Sequence, residues 1–248
     1  MSVQYFRSAE CPPHLMSPVE LLEATKRDGF WRRLTLRRRL AQWWLAVTLR
    51  AAAKRTVDIV GAGLGVIALS PLLIATAIAI KLESPGPVFF TQERVGKRGK
   101  PFNMIKFRSM RTTAEADKAA LQTQNESEDG VLFKMKADPR VTRIGRIIRR
   151  FSIDELPQLF NILRGDMAIV GPRPAIHSEV AQYDHEARKR LQTKPGLTCI
   201  WQVSGRSDLS FGQQVDLDIQ YLRQQSILTD VKLIARTIPA VVTGRGAY

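Results

Sequence analysis

Cysteine and histidine are scarce in this chain. Cys11 and Cys199, with His14, His177 and His185, are all it has in 248 residues. Neither set has the spacing of a metal site or a redox motif, so a structural zinc and a disulfide framework are not expected, and both thiols should be reduced. Acids are short as well, 23 against 38 lysines and arginines, for a net charge of +15. That excess selects anionic partners: nucleic acid, phospholipid headgroups or phosphorylated small molecules. The first thirty residues lack an apolar core and contain several acids, so no cleavable signal peptide is expected there. Internal repeats and low-complexity linkers are missing, and the length suits one sizeable core or a domain with an accessory segment.

Long apolar runs are limited to "IVGAGLGVIALSPLLIATAIAI", residues 59 to 80, which is 22 residues without a charge. A straight helix of that length would measure about 33 Å at 1.5 Å per residue, against a hydrocarbon core of roughly 30 Å. Ser70-Pro71 interrupts it midway, where proline removes a backbone donor. Arg50, Lys54 and Arg55 flank one end; Lys81, Arg94, Lys97, Arg98 and Lys100 follow the other. The preference of basic flanks for the cytoplasm applies to both ends, and a re-entrant helix-break-helix satisfies both. A single span and a soluble core helix are the alternatives. Within the run, "GAGLGV" nearly spells a dinucleotide fingerprint, with Glu83 about twenty residues on, but its last position is Val66 and no strand-helix series follows. Small residues in a membrane helix account for these glycines better.

Upstream, "WRRLTLRRRLAQWWLAVTLRAAAKR" reads as a helix, with Leu36, Leu40, Trp43 and Val47 on one stripe. Tryptophan with arginine suits a helix lying on anionic lipid; packing on the protein itself is the other reading. Downstream, Val88–Arg94 and Phe102–Phe107 are strand-like around the glycine turn "VGKRGK" and form a β-hairpin. Residues 112 to 130 suggest a surface helix and a polar loop, and "DPRVTRIGRIIRR" a turn and a basic helix. "FGQQVDLDIQYLRQQ" is helical, and the apolar "VKLIARTIPAVVTG" is too interrupted to span.

The most informative stretch is "FSIDELPQLFNILRGDMAIVGPRP", residues 151 to 174. Ser152-Ile153-Asp154-Glu155 matches a capping box, with Ser152 at the N-cap and Glu155 at N3. Judged locally, the two carboxylates are ordinary first-turn residues that complement the helix dipole. Arg140, Arg143, Arg146, Arg149 and Arg150 precede them and Arg173 follows. Arginines clamp phosphates, whereas carboxylates in such a place would repel them unless they bound Mg²⁺ or attacked phosphorus.

Taken together, "SPGPVFFTQERVGKRGKPFNMIKFRSM", "DPRVTRIG", "SIDELPQLFNILRGDMAIVGPRP" and "PGLTCIWQVSGRSDLSF" resemble the monotopic phosphoglycosyl transferases, a family of bacterial sugar transferases, over residues 54 to 248. The resemblance implies an α+β monotopic membrane protein with a re-entrant helix, interfacial helices and a small β-hairpin on a mainly helical catalytic domain. Its divisions would be an N-terminal extension with an amphipathic helix (1–53), the re-entrant helix (54–83) and a cytoplasmic catalytic domain (84–248). The implied reaction moves a sugar-1-phosphate, glucose or galactose leading, from a UDP-sugar to polyprenyl phosphate at the bacterial inner membrane. That would be the first membrane step of exopolysaccharide or O-antigen synthesis. Asp154 maps to the nucleophile that forms a covalent phospho-sugar intermediate, and Glu155 to its partner, with Mg²⁺ on both. Arg173, between Pro172 and Pro174, maps to a phosphate contact, and Arg149 to the arginine that meets a lipid headgroup. Gln92, Arg94, Lys106 and Arg108 of the hairpin are further candidate substrate contacts, although most cations there also suit a solvated face beside lipid. Ser70-Pro71 maps to the family's helix break. Inner-membrane phospholipids are expected partners, nucleic acid is not, and a homodimer is compatible. Cys199 stands where the family pattern has glycine, which puts local C-terminal packing in question.

Overall fold

The structure, a computed structural model, describes residues 30–118, 135, 138–205 and 209–243, with backbone alone at 30–33, 36 and 115. The first 29 residues of the expected extension, the polar loop after residue 118 and Arg206-Ser207-Asp208 of the last motif lie outside the described residues. The chain divides into two compact units, residues 1–55 and 56–248. In the first, the described part is the opening of helix α1 (Phe30–Glu83). Trp43 and Trp44 stand edge to face there at 5.3 Å, and both are exposed.

The second unit contains the rest of α1 and everything after it. Strands β1 (Phe89–Val95) and β2 (Pro101–Phe107) form the expected hairpin, with Phe90 opposite Lys106 and Gln92 opposite Met104. The period of two puts Phe90, Gln92, Arg94 and Lys106 on one face. A short helix α2 (Ala114–Lys118) follows, then the basic helix α3 (Arg143–Arg150), whose N-cap Thr142 accepts from the Gly145 N–H. A 3₁₀ turn, Ile153–Glu155, leads to α4 (Gln158–Arg164), which stops at Gly165 with φ of 100°. Glycine adopts that left-handed conformation without steric cost.

Next come β3 (Ala168–Val170), helices α5 (His177–Ala181) and α6 (His185–Arg188), β4 (Gly196–Thr198) and α7 (Ile200–Ser204). Helix α8 (Phe211–Gln224) starts on a reciprocal Ser210–Gln213 capping box, and α9 (Ile227–Thr243) ends the described chain. One part of the architecture goes beyond the expected hairpin. β3 and β4 form a second, parallel two-stranded sheet, with Ala168 paired to Gly196. The strands meet where Gly171 faces Gly196; a Cβ on Gly196 would lie 2.1 Å from the Gly171 nitrogen, so no larger residue can stand there.

The apolar run is held along both halves. Ala62 is buried with Met104, Leu159, Ile162 and Met167, and Val66 and Leu69 pack on this group. Ile162 is fully buried, an arrangement worth roughly 1.5–3 kcal/mol for such a side chain. The small residues of "GAGLG" permit the approach: a Cβ at Gly61 would come within 2.7 Å of Ile169 Cδ1. Further along, Leu73, Ala77 and Ile80 pack with Phe107 and Ile148. Polar clamps hold the two ends. Asp58 Oδ1 accepts from the Ile169 N–H at 3.0 Å, and Glu83 accepts from the Ile144 N–H at 3.1 Å. The other side stays bare, with Val60, Leu64, Ile67, Ile74 and Ile78 exposed. Helix α1 continues through Ser70-Pro71, and Ser70 Oγ donates to the Ile67 carbonyl at 2.8 Å. The helix is thus unbroken at Ser70-Pro71, where the sequence suggested an interruption.

Candidate active site

Asp154 and Glu155 occupy the 3₁₀ turn between α3 and α4, and the local capping box is not formed. Ser152 adopts a left-handed backbone (φ 52°, ψ 23°) and its side chain caps nothing. Glu155 accepts instead from Lys106 Nζ at 2.7 Å, across 49 residues of sequence. A capping contact is worth about 1 kcal/mol, and a partly buried charge-assisted bond competes well with it. The left-handed Ser152, a conformation costing roughly 1–2 kcal/mol outside glycine, turns the dyad toward β2.

The carboxylates differ in state. Asp154 is buried and in no ion pair among the described residues. Burial, opposed by Lys106 and reinforced by Glu155, pushes its pKa up to about 6. Glu155 is held below the ordinary glutamate value: burial opposes this, but Lys106, through its charge and hydrogen bond, and Arg173 and Arg94 outweigh it. One acid of the pair is therefore neutralised by its partner, while its neighbour keeps a free carboxylate that ionises near neutrality.

These residues open on a cavity of about 1160 Å³. Its polar lining includes Gln92, Arg94, Lys106, Arg149, Asp154, Glu155 and Arg173. Arg94 is buried, donates to the Pro174 carbonyl at 3.0 Å and to Gln92 Oε1 at 2.5 Å, and leaves its Nε–H without a partner. Burial and the nearby Arg173 lower its pKa to about 10, the mark of a cation lacking a full set of anions. Arg173 stands 5.9 Å over the Trp201 ring, whose Nε1–H is also unpartnered. Its apolar lining includes Leu69, Leu72, Ile169, Leu197, Ile234 and Val241.

The candidates named from sequence thus converge, with differences of role. Arg108 reaches the cavity wall, but its guanidinium is committed to the Ser84 and Pro85 carbonyls at 2.8 and 2.7 Å and to Ser84 Oγ. Pro172 and Pro174 lie outside the lining and shape the loop instead, the Pro172 carbonyl accepting from Gly196 N–H at 2.8 Å. Ser70 and Pro71 belong to α1 between the cavity-lining Leu69 and Leu72.

Sequence reasoning missed a buried ion pair behind the Arg173 loop. Arg190 lies 2.7 Å from the fully buried Asp218, donates to Tyr183 Oη at 3.1 Å and stacks on Tyr183 and Phe211. Burial raises Asp218 to about 6 against the pull of Arg190. A single charge on each of two helical segments gives no local signal of such pairing. Cys199 is buried too, and burial keeps its thiol protonated, so that it donates to Gln202 Oε1 at 3.3 Å. The packing there accommodates the replacement of glycine.

Among the described residues no cluster of three or more His, Cys, Asp or Glu side chains could hold a metal alone. Asp154 and Glu155 nevertheless offer hard oxygens on the cavity wall, and Mg²⁺ typically takes one or two carboxylates and completes its shell with phosphates and water. The donor chemistry fits that ion.

A free carboxylate among cations, joined to an apolar wall, is suited to phosphoryl transfer involving an apolar partner. Comparison with known proteins gives the family. The model for bacterial sugar transferases matches residues 49–244. The chain is 45% identical over 201 residues to the galactosyl transferase CpsE of Streptococcus agalactiae, covering 79% of this chain and 43% of that protein. It is 40% identical to the exopolysaccharide production protein ExoY of Sinorhizobium fredii, covering 79% and 88% respectively. It is 42% identical to the UDP-glucose:undecaprenyl-phosphate glucose-1-phosphate transferase of Caulobacter vibrioides, covering 82% and 74%. The chain belongs to the bacterial sugar transferase family and is a transferase. It spans under half the length of the streptococcal relative.

Proposed function

We propose that the protein transfers a hexose-1-phosphate, glucose or galactose, from a UDP-sugar to polyprenyl phosphate, starting exopolysaccharide or O-antigen assembly. In the first step an Asp154 carboxylate oxygen attacks the sugar-bearing phosphorus, and the bond from that phosphorus to the UMP oxygen breaks. UMP leaves with the electron pair. In the second step an oxygen of the lipid phosphate attacks the same phosphorus and expels Asp154, giving polyprenyl-diphosphate-sugar and the free carboxylate. Arg94 and Arg173 hold the phosphates and stabilise charge gathering on the departing oxygen. Arg149 meets the acceptor's phosphate. Lys106 fixes Glu155 and keeps Asp154 ionised. Asp154 and Glu155 would hold Mg²⁺, which when bound neutralises phosphate charge.

The observation behind this assignment is the asymmetry of the dyad: Glu155 is paired to Lys106, and Asp154 is buried, unpaired and ionised above about pH 6. The name of the Caulobacter relative points to the same pair of substrates. For membrane placement, we infer a re-entrant segment at the cytoplasmic face of the inner membrane. Support comes from Asp58 and Glu83, which tie both ends of the apolar run to one domain. A run crossing the bilayer would have to leave one of those clamps unmade.

The test is intact-mass analysis of the membrane-held protein with Mg²⁺ and a panel of UDP-sugars, without lipid acceptor. A sugar-phosphate adduct with one donor is expected, absent in Asp154→Asn and discharged by polyprenyl phosphate. UMP release on adding lipid without any adduct would remove the covalent step. Adduct discharge by water at the same rate with or without lipid would make the protein a hydrolase.

A further inference from the structure

The loop that carries Arg173 is fixed on both sides through its backbone. The Pro172 carbonyl accepts from the Gly196 N–H at 2.8 Å, and the Pro174 carbonyl accepts from Arg94 at 3.0 Å. Proline after Arg173 also confines its backbone to extended conformations. The side chain is held differently. Among the described residues it makes no hydrogen bond and no ion pair, and its ring contact is with Trp201, 5.9 Å from Cζ to the centroid. A long, rotamer-rich guanidinium loses its freedom on gripping a phosphate unless something has already aligned it. An ion pair would align it at the expense of its donors, whereas an aromatic ring attracts the cation and leaves the N–H groups open. The second sheet builds this contact. Arg173 follows Val170 of β3 by three residues, Trp201 follows Thr198 of β4 by three, and Val170 and Thr198 are paired in parallel. The Gly171 N–H donates to the Thr198 carbonyl at 3.0 Å, which keeps the two exits side by side. Trp201 is buried and Arg173 exposed, and both line the cavity that contains Asp154.

We propose that Trp201 is a positioning residue for Arg173, its ring holding the guanidinium at the cavity with its donors free for the diphosphate of the incoming nucleotide. The proposal rests on the transfer reaction above and adds a residue to it. It also gives the β3–β4 pair a task, since the parallel strands deliver the cation and its platform together. Trp201 acts through Arg173, so its contribution vanishes once position 173 no longer carries a cation.

Two readouts are taken on the membrane-held full chain: the Kd for UDP by calorimetry, and the rate of adduct formation from UDP-sugar without lipid. Trp201→Leu should raise the Kd for UDP about fivefold, the equivalent of roughly 1 kcal/mol for a cation over an aromatic ring. Trp201→Phe keeps a ring and should raise it by about twofold. In an Arg173→Gln background either change at Trp201 should add almost nothing, because the cation it positions is gone. Val203→Ala controls for loosening of α7, since Val203 packs on Val170, Tyr221 and Leu233 away from the cavity lining. That variant should lower the thermal midpoint and leave the Kd unchanged. If Trp201→Leu fails to fold, Trp201→Phe with and without Arg173→Gln decides the matter. An unchanged Kd in the Trp201 variants would overturn the positioning role. So would the same loss in the Arg173→Gln background, which would make Trp201 a direct ligand contact, or an equal loss in Val203→Ala, which would make the effect one of helix packing. UDP binding that follows the expected pattern, with no adduct in the unmodified protein, would leave Trp201 its role and count against the covalent transfer instead. An unmodified protein that binds no UDP would overturn both.

Discussion

Replacing Lys106 by methionine removes the ammonium beside Glu155 and keeps most of the side chain's length. Asp154 feels the same charge. Burial and Glu155 raise its pKa, and Lys106 is the largest influence lowering it. An opposite charge at short range is worth roughly 1–3 pKa units. Taking about 1.5 from that range, ionisation of the dyad's free acid moves from about 6 to roughly 7.5. At pH 7 the ratio of carboxylate to acid is then about ten to one in the unmodified protein and about one to three in the variant. On the proposed mechanism only the carboxylate attacks phosphorus, so adduct formation at pH 7 should fall about fourfold from this cause and recover by about pH 9. The assay is the single-turnover rate of sugar-phosphate adduct formation between pH 5 and 9. An acid limb that stays near 6 in Lys106→Met would refute the electrostatic account, as would a loss of the same size at every pH. The second outcome would assign Lys106 to substrate binding.

Asp154 should also weigh on stability. Its folded pKa, about 6, lies above the ordinary 3.8, so the folded state keeps the proton longer. Stability is therefore greatest below about pH 4, declines as pH rises through that window and levels above about 6. Asp154→Asn should accordingly unfold at higher temperature at pH 7.5, by roughly 1–3 kcal/mol, with the difference shrinking toward pH 4; a lower midpoint at both pH values would contradict this. Arg190→Met strands the buried Asp218 and should cost roughly 3–5 kcal/mol, whereas Arg190→Met with Asp218→Leu should recover much of it. Denaturation midpoints of the single and double variants check this, and a double variant no better than the single would refute it.

Much of this molecule could be read from local pattern. The hairpin, α3 and α8 declare themselves by strand formers, a glycine turn and helical patterning. The dyad and Arg173 stand out because carboxylates amid arginine need a reason. What escaped depends on partners remote in sequence. Glu155 has the spacing of a capping residue, but Lys106, delivered by β2, takes it. β3 and β4 are three residues each, too short for alternation to register, and their pairing depends on Gly171 and Gly196 touching. Arg108 looks like a phosphate ligand in sequence, yet the turn at Ser84-Pro85 presents carbonyls that consume its donors. Arg190 and Asp218 carry no signature at all until the helices fold together.

The clamp between Asp58 and the Ile169 amide joins residues 111 positions apart. During synthesis at about 5–20 residues per second, the apolar run leaves the ribosome roughly 6–22 s before its anchor exists. Glu83 waits for Ile144, 61 residues later. Throughout that interval the nascent segment has the length and composition of a spanning helix, with a carboxylate at each border and nothing to fasten either. On the re-entrant placement proposed above, the choice between crossing and returning waits for Ile144 and Ile169, and a stalled or truncated chain would present the insertion machinery with a different membrane protein.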